Sequence, residues 1–201
     1  MERLLIVNGS PRAPKSNSKQ YAQLVQKYWK GQADTYLVTS KMQEELDLQK
    51  YQHILFVFPL YADAVPSVLF PFLKYLEQAH LPEGMQAHVL INCGFLEPQQ
   101  NDTAVKILQY FCKKARLSYG MTLQIGSGEA ILKTPFAFLV RRKIRSFVKG
   151  VCQGKSQVLS VTLPLSKRQF IKSAEKYWLD YGKRFHTTEE QMRTMEIESE
   201  Q

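Results

Sequence analysis

His53-Ile54-Leu55-Phe56-Val57-Phe58 runs through five consecutive apolar positions after its first residue, and Pro59 stops it. A strand with one wet face would alternate polar and apolar residues. This one is apolar on both faces, which suits a parallel sheet covered by helices on both sides. Three more segments read as strands around it. Leu4–Val7 ends at Asn8-Gly9-Ser10-Pro11, His88–Asn92 is nearly as apolar, and Met121–Ile125 ends at Gly126-Ser127-Gly128. Tyr36–Val38 is a shorter strand.

The segments between them carry helical spacing. Tyr21, Leu24, Val25 and Tyr28 recur at i, i+3, i+4 and i+7, with Ser16 or Asn17 as cap and Gly31 as stop. A short helix is expected around Met42–Leu46 and another from Pro66 or Ser67 to Gln78. Asp102 would cap a helix with the stripe Ala104, Ile107, Leu108, Phe111, Cys112 and Ala115. Phe136, Val140, Ile144 and Phe147 mark the next one. Val158–Leu163 is extended, as an edge strand or a crossing loop. A last helix from Lys167 to about Phe185 has Phe170, Ile171, Ala174, Tyr177, Trp178 and Tyr181 on one face. Strands alternating with helices predict an α/β domain with a mainly parallel sheet. The expected organisation is one domain over residues 1–186 and an acidic, frayed tail over 187–201.

Composition bounds the function. The chain has 201 residues, 44% hydrophobic and 22% charged. That is globular usage, and it disfavours disorder and fibrous repeats. Three widely spaced cysteines without a CxxC pair predict no disulfide framework and a reducing, cytoplasmic setting. The four histidines form no ligand pair at helical spacing, so no metal site is expected. Leu4–Val7 is too short for a signal-peptide core. Ile54–Leu73 has the length of a membrane span, but Pro59, Asp63, Pro66 and Pro71 interrupt it.

Charge is uneven. The chain carries +9; residues 187–201 hold five acids and one base, net −4, which leaves +13 on residues 1–186. Lys133, Arg141, Arg142, Lys143, Arg145, Lys149 and Lys155 follow one another with no acid between them. They read chiefly as a solvated helix face. Attraction of a ligand's phosphates or of an acidic partner is a lesser reading. Nucleic acid is disfavoured because the nearby aromatics lie on the core stripe.

Open α/β sheets bind ligands at the carboxyl ends of strands, where the strand order reverses. The loop Gly9–Ser18 leads into a helix N-terminus, where free N–H groups and the dipole favour an anion. Ser10, Ser16, Asn17 and Ser18 offer short hydrogen-bonding groups, and Arg12 can fork onto phosphate. Neither GxxxxGK[ST] nor GxGxxG is present. By spacing alone the loop reads equally as a phosphate cradle or as a capped turn.

Leu4-Leu5-Ile6-Val7-Asn8-Gly9-Ser10-Pro11-Arg12 followed by Ser16-Asn17-Ser18 resembles the first loop of the NAD(P)H-dependent FMN reductases. Phe58-Pro59-Leu60-Tyr61-Ala62-Asp63-Ala64-Val65-Pro66 is similar to that family's second loop, which lies against the flavin. The resemblance follows the order of elements over residues 3–130 and is concentrated in these two loops. It implies a flavodoxin-like three-layer sandwich, a five-stranded parallel sheet in the order 2-1-3-4-5. It implies FMN as cofactor, with NADPH or NADH as cosubstrate. Ser10, Arg12, Ser16, Asn17 and Ser18 would hold the phosphate, while Pro59, Leu60, Tyr61, Ala62 and Asp63 would line the ring. Asn92, Cys93, Gly94 and Phe95 fall where the family makes a looser third contact. Cys93 itself reads as a small apolar residue rather than a reactive thiol. Gly126-Ser127-Gly128-Glu129 reads as a substrate entrance or a tight turn.

The implied activity is hydride transfer from the nicotinamide through FMN to a small acceptor such as a quinone or free flavin. The flavin does the chemistry, so no catalytic side chain is named. The clustered cysteines of related iron–sulfur flavoproteins are missing. The expected partners are that small-molecule acceptor and a second copy of the chain, with no nucleic acid and no membrane. The alternatives are an FMN-holding electron-transfer or regulatory protein without its own NAD(P)H activity, and a flavin-free basic binding module.

Overall fold

The computed structural model describes residues 2–12, 15–39 and 46–194. Six parallel strands form one sheet: β1 (Arg3–Asn8), β2 (Gln32–Leu37), β3 (His53–Pro59), β4 (Gln86–Asn92), β5 (Ser118–Ile125) and β6 (Val158–Val161). Their order is β2-β1-β3-β4-β5-β6. The helices α1 (Asn17–Tyr28), α2 (Phe70–Gln78), α3 (Asp102–Lys114) and α4 (Ala137–Cys152) are the crossovers. The helices α5 (Lys167–Lys183) and α6 (Glu189–Arg193) follow.

The apolar strands are the core. Ile54 to Phe58 and Val89 to Ile91 are buried throughout, as both faces of a covered parallel sheet require. One cluster joins Val7, Phe56 and Ile91 with Leu69, Phe72 and Leu76 from the α2 side, and with Leu108 and Phe111 of α3. The expected five-stranded sheet is corrected to six. After α4 the chain returns beside β5, and Val158–Val161 pairs with Thr122–Ile125. This edge strand is short, and only Val161 within it is buried. Those traits leave its sequence looking like a loop.

Helix starts follow local chemistry. Ser16 caps α1 by accepting from the Lys19 N–H at 3.2 Å. Asp102 does not cap α3; it accepts from Gln124 Nε2 at 2.7 Å, and a 3₁₀ turn over Pro98–Asn101 leads into the helix. The strand expected at Tyr36–Val38 runs earlier, over Gln32–Leu37. The short helix expected around Met42–Leu46 falls, apart from Leu46, outside the described residues.

At the amino ends of the strands, β5 carries a bulge opposite His88: Ala87 faces Tyr119, whereas Val89 faces Thr122. The displaced Met121 N–H donates to His88 Nδ1 at 3.0 Å. A neutral His88 that accepts at Nδ1 holds its proton on Nε2, which lies 3.1 Å from His53 Nδ1. His53 Nε2 in turn lies 3.2 Å from Glu2 Oε2. Gly120 is required here, because a Cβ would sit 2.5 Å from the His88 ring.

The chain divides into two compact units, Met1–Leu163 and Pro164–Gln201. Within α5 only Gly182 is buried, and a Cβ there would run into Met192 Sδ of α6. A capping box of Thr188 and Gln191 starts α6. The rest of the expected tail, 195–201, lies outside the described residues.

Candidate functional site

Among the described residues, segments that leave the carboxyl edge of the sheet include 9–12 and 15–16 after β1, 60–66 after β3, 93–97 after β4 and 126–130 after β5. The first two flank the point where strand order reverses, between β1 and β3. Hydrogen bonds join the loops. The Gly9 N–H donates to the Val57 carbonyl at 2.9 Å, and the Leu60 N–H to the Asn92 carbonyl at 2.8 Å. The Gly128 N–H donates to the Cys93 carbonyl at 2.7 Å, and the Ser127 N–H to the Phe95 carbonyl at 2.5 Å. Arg12 Nη1 lies 3.9 Å from Glu129 Oε1, an exposed pair that brings the first and fourth loops together.

Asn92 is the hub. Its Nδ2 donates to Ser18 Oγ at 3.1 Å and to the Phe58 carbonyl at 3.2 Å. A Cβ at Gly128 would meet Asn92 Cβ at 2.8 Å, so the fourth loop packs directly on it. Tyr21 of α1 reaches the same place, its hydroxyl donating to the Gly128 carbonyl at 2.6 Å. Burial is the main reason that this phenol is pushed above its ordinary pKa, with the charges of Cys93 and Glu129 adding to it. It therefore stays a hydrogen-bond donor across the working pH range. Thr162 holds the loops from the far side, donating to the Leu96 carbonyl at 2.6 Å.

The sequence-predicted residues fall into two groups. Ser10, Ser18, Asn92 and Cys93 are buried. The Ser10 N–H donates to Asn8 Oδ1 at 3.1 Å. Cys93 Sγ accepts from Asn101 Nδ2 at 3.4 Å, and burial pushes its thiol pKa up, so it is inert. These four shape the loops from inside. Arg12, Tyr61, Ala62, Asp63, Gly94 and Phe95 are exposed, whereas Ser16, Asn17, Pro59 and Leu60 are half-buried. These ten are available to a ligand. Ala13 and Pro14 of the first loop lie outside the described residues.

Two features of the exposed set suit a phosphorylated aromatic ligand. The first turn of α1 holds no acid, and Arg12 and Lys15 stand in the loop before it. Tyr61 and Phe95 are 38% and 50% exposed on adjacent loops, large rings that the core does not use. Ala62 and Asp63 both have positive φ, 45° and 56°. The reciprocal bonds between Tyr61 and Ala64 close a two-residue hairpin turn around them, with Tyr61 at its base.

Sequence reading missed Glu129 as the partner of Arg12, and missed the structural parts of Tyr21 and Thr162. No local pattern announces them, since each acts on a segment more than sixty residues away.

Comparison of the sequence with protein-family models and with curated proteins finds no match. Solved structures do match the fold. The NAD(P)H:quinone oxidoreductase from Methanothermobacter marburgensis aligns with a TM-score of 0.58 at 11% identity, covering 74% of this chain and 95% of that one. The Fusobacterium nucleatum flavodoxin bound to flavin mononucleotide gives 0.58 at 11%, covering 76% and 98%. An NADPH-quinone reductase from P. pentosaceus gives 0.56 at 16%, covering 74% and 98%. The chain therefore has the flavodoxin-like α/β fold. Among the described residues no helix is long and apolar enough to cross a membrane, and no group of three His, Cys, Asp or Glu could hold a metal ion.

Proposed function

We propose that this protein binds FMN at the carboxyl edge of its sheet and acts as an NAD(P)H-dependent oxidoreductase toward a small acceptor such as a quinone or free flavin. One observation supports this above the others. An acid-free helix N-terminus with Arg12 and Lys15 beside it shares the strand-order reversal with the exposed ring of Tyr61, and the exposed ring of Phe95 stands on the next loop, after β4. An anion and a planar ring are the two halves of FMN.

When bound, the flavin supplies the hydride-accepting ring. The chain's own residues bind and orient it. Arg12, Ser16, Asn17 and the α1 N-terminus hold the phosphate. The backbone of Leu60–Asp63 meets the ring's polar edge, and Tyr61 and Phe95 border its faces. Ser10, Ser18, Asn92 and Cys93 hold these loops from within. A homodimer in the cytoplasm belongs to this reading, because a second copy would cover rings that one chain leaves open.

The test is an absorbance spectrum of the purified protein before and after addition of FMN, with free flavin removed. Retention near one FMN per chain, followed by NADPH or NADH consumption with a quinone, is the expected result. Arg12→Ala should weaken FMN binding by about 1.5–3 kcal/mol, the range for a charge-assisted hydrogen bond; unchanged affinity removes Arg12 from the site. Retained flavin without nicotinamide oxidation would leave an electron-transfer or regulatory protein. No retained flavin would overturn the reading and favour a flavin-free binding module.

A further inference from the structure

The second unit carries an aromatic face that its own packing leaves uncovered. At 100° per residue, Phe170, Ile171, Ala174, Tyr177, Trp178, Tyr181 and Phe185 fall within an arc of about 120°. Tyr177 and Trp178 are each 54% exposed and Phe185 is 62% exposed. Tyr177, Trp178, Tyr181 and Phe185 touch one another, with ring centroids 5.1 to 6.2 Å apart. An open groove of about 360 Å³ runs between this face and α6, lined by Ile171, Trp178 and Met192 among others.

The opposite face is basic. Lys172, Lys176 and Lys183 lie across the helix from the aromatic arc, and Arg168 lies at the edge of their face, whereas Lys167 falls within the arc. Within α5 the acids are Glu175 and Asp180, and Asp180 is paired with Lys183 at 3.4 Å. In α6, Glu189 is paired with Arg193 at 2.6 Å.

We propose that α5 lies on anionic lipid bilayers, with its aromatic face in the headgroup region and its bases over the lipid phosphates. Three observations favour a membrane over a second copy of the chain. The face is rich in Tyr and Trp, whose rings are apolar in body and polar at one end, the side chains that settle at bilayer–water boundaries. The polar face carries Arg168, Lys172, Lys176 and Lys183 against Glu175 and Asp180, the net basic pattern of a helix lying in the interface plane. The whole chain carries +9, which draws it to an anionic surface. The expectation of no membrane partner rested on the lack of a spanning segment, and lying on a surface needs none. This proposal is independent of the flavin reading.

The test is flotation of the full chain with vesicles of phosphatidylcholine alone and with vesicles containing about one-third phosphatidylglycerol. Binding to the anionic vesicles only, weakened by salt, is expected. Each base near the surface contributes about fivefold in partition, so Lys172→Gln with Lys176→Gln should weaken binding about 30-fold. Both positions are exposed on the helix, which keeps the variant folded. Trp178→Glu should abolish binding. Trp178→Phe should keep it but remove the vesicle-induced blue shift of tryptophan emission, because Trp29 is already buried. Three results would overturn the proposal: no binding to either vesicle, binding untouched by the α5 variants, or a concentration-dependent dimer that Trp178→Glu dissolves.

Discussion

Asn92 shows how much one amide can organise. Its two donated bonds join β4 to α1 and to the end of β3, at a residue that is 3% exposed. Asn92→Ala leaves the Phe58 carbonyl without its side-chain donor and opens a small hole. It should cost about 2–4 kcal/mol in urea denaturation. His88 makes a pH prediction at the other end of the sheet. Burial, with His53 as the second cause, lowers its pKa to about 3. The unfolded chain therefore binds a proton below pH ~6.5 that the folded chain refuses. Above that range His88 contributes nothing; as pH falls through it, stability is lost. Between pH 7 and 5 this residue alone should remove on the order of 2 kcal/mol. The denaturation midpoints of the protein and of His88→Gln, compared at both pH values, check this: the variant should show the shallower slope. The cap of α1 was legible from sequence to within Ser16 or Asn17, because a cap acts within its own turn. The hub role of Asn92 was not, since its partner Ser18 stands 74 residues away and nothing local distinguishes a hub from a strand end.

Among elements, the turn Tyr61-Ala62-Asp63-Ala64 is held against local preference. Left-handed backbone costs an ordinary residue about 1 kcal/mol or more, and a two-residue hairpin of this kind prefers Asn-Gly. Ala62→Asn with Asp63→Gly should therefore raise stability by about 1–2 kcal/mol, read as a higher melting temperature; no gain would mean that the strain is relieved elsewhere. The turn sets Tyr61 at its base, with the ring partly exposed. The strands of the core were legible because both-face burial writes itself as unbroken apolar runs. The edge strand β6 was ambiguous for the opposite reason. Val158 and Ser160 are exposed, Leu159 is only half-buried, and the pairing comes from where α4 returns the chain. The aromatic stripe of α5 was read as a face, but periodicity does not tell which partner covers it.

At the scale of the whole molecule, the candidate site and the body share one stability. A ligand that binds only the folded state adds about 2.7 kcal/mol at 100-fold its dissociation constant. FMN at that excess should raise the unfolding free energy of the Met1–Leu163 unit in urea by this amount, with fluorescence and circular dichroism moving together. A shift seen by one probe alone would mean that the loops order separately from the sheet. The ties across the carboxyl edge also bear on how the protein is made. Tyr21 is fastened to Gly128, 107 residues further on, and Ser18 to Asn92. A chain emerging from the ribosome holds the first loop long before it holds either fastener, and such distant pairings close late in folding. The loop cluster at the carboxyl edge is thus among the last things the polypeptide completes, closed only once residues 92 and 128 have followed the first loop out of the ribosome.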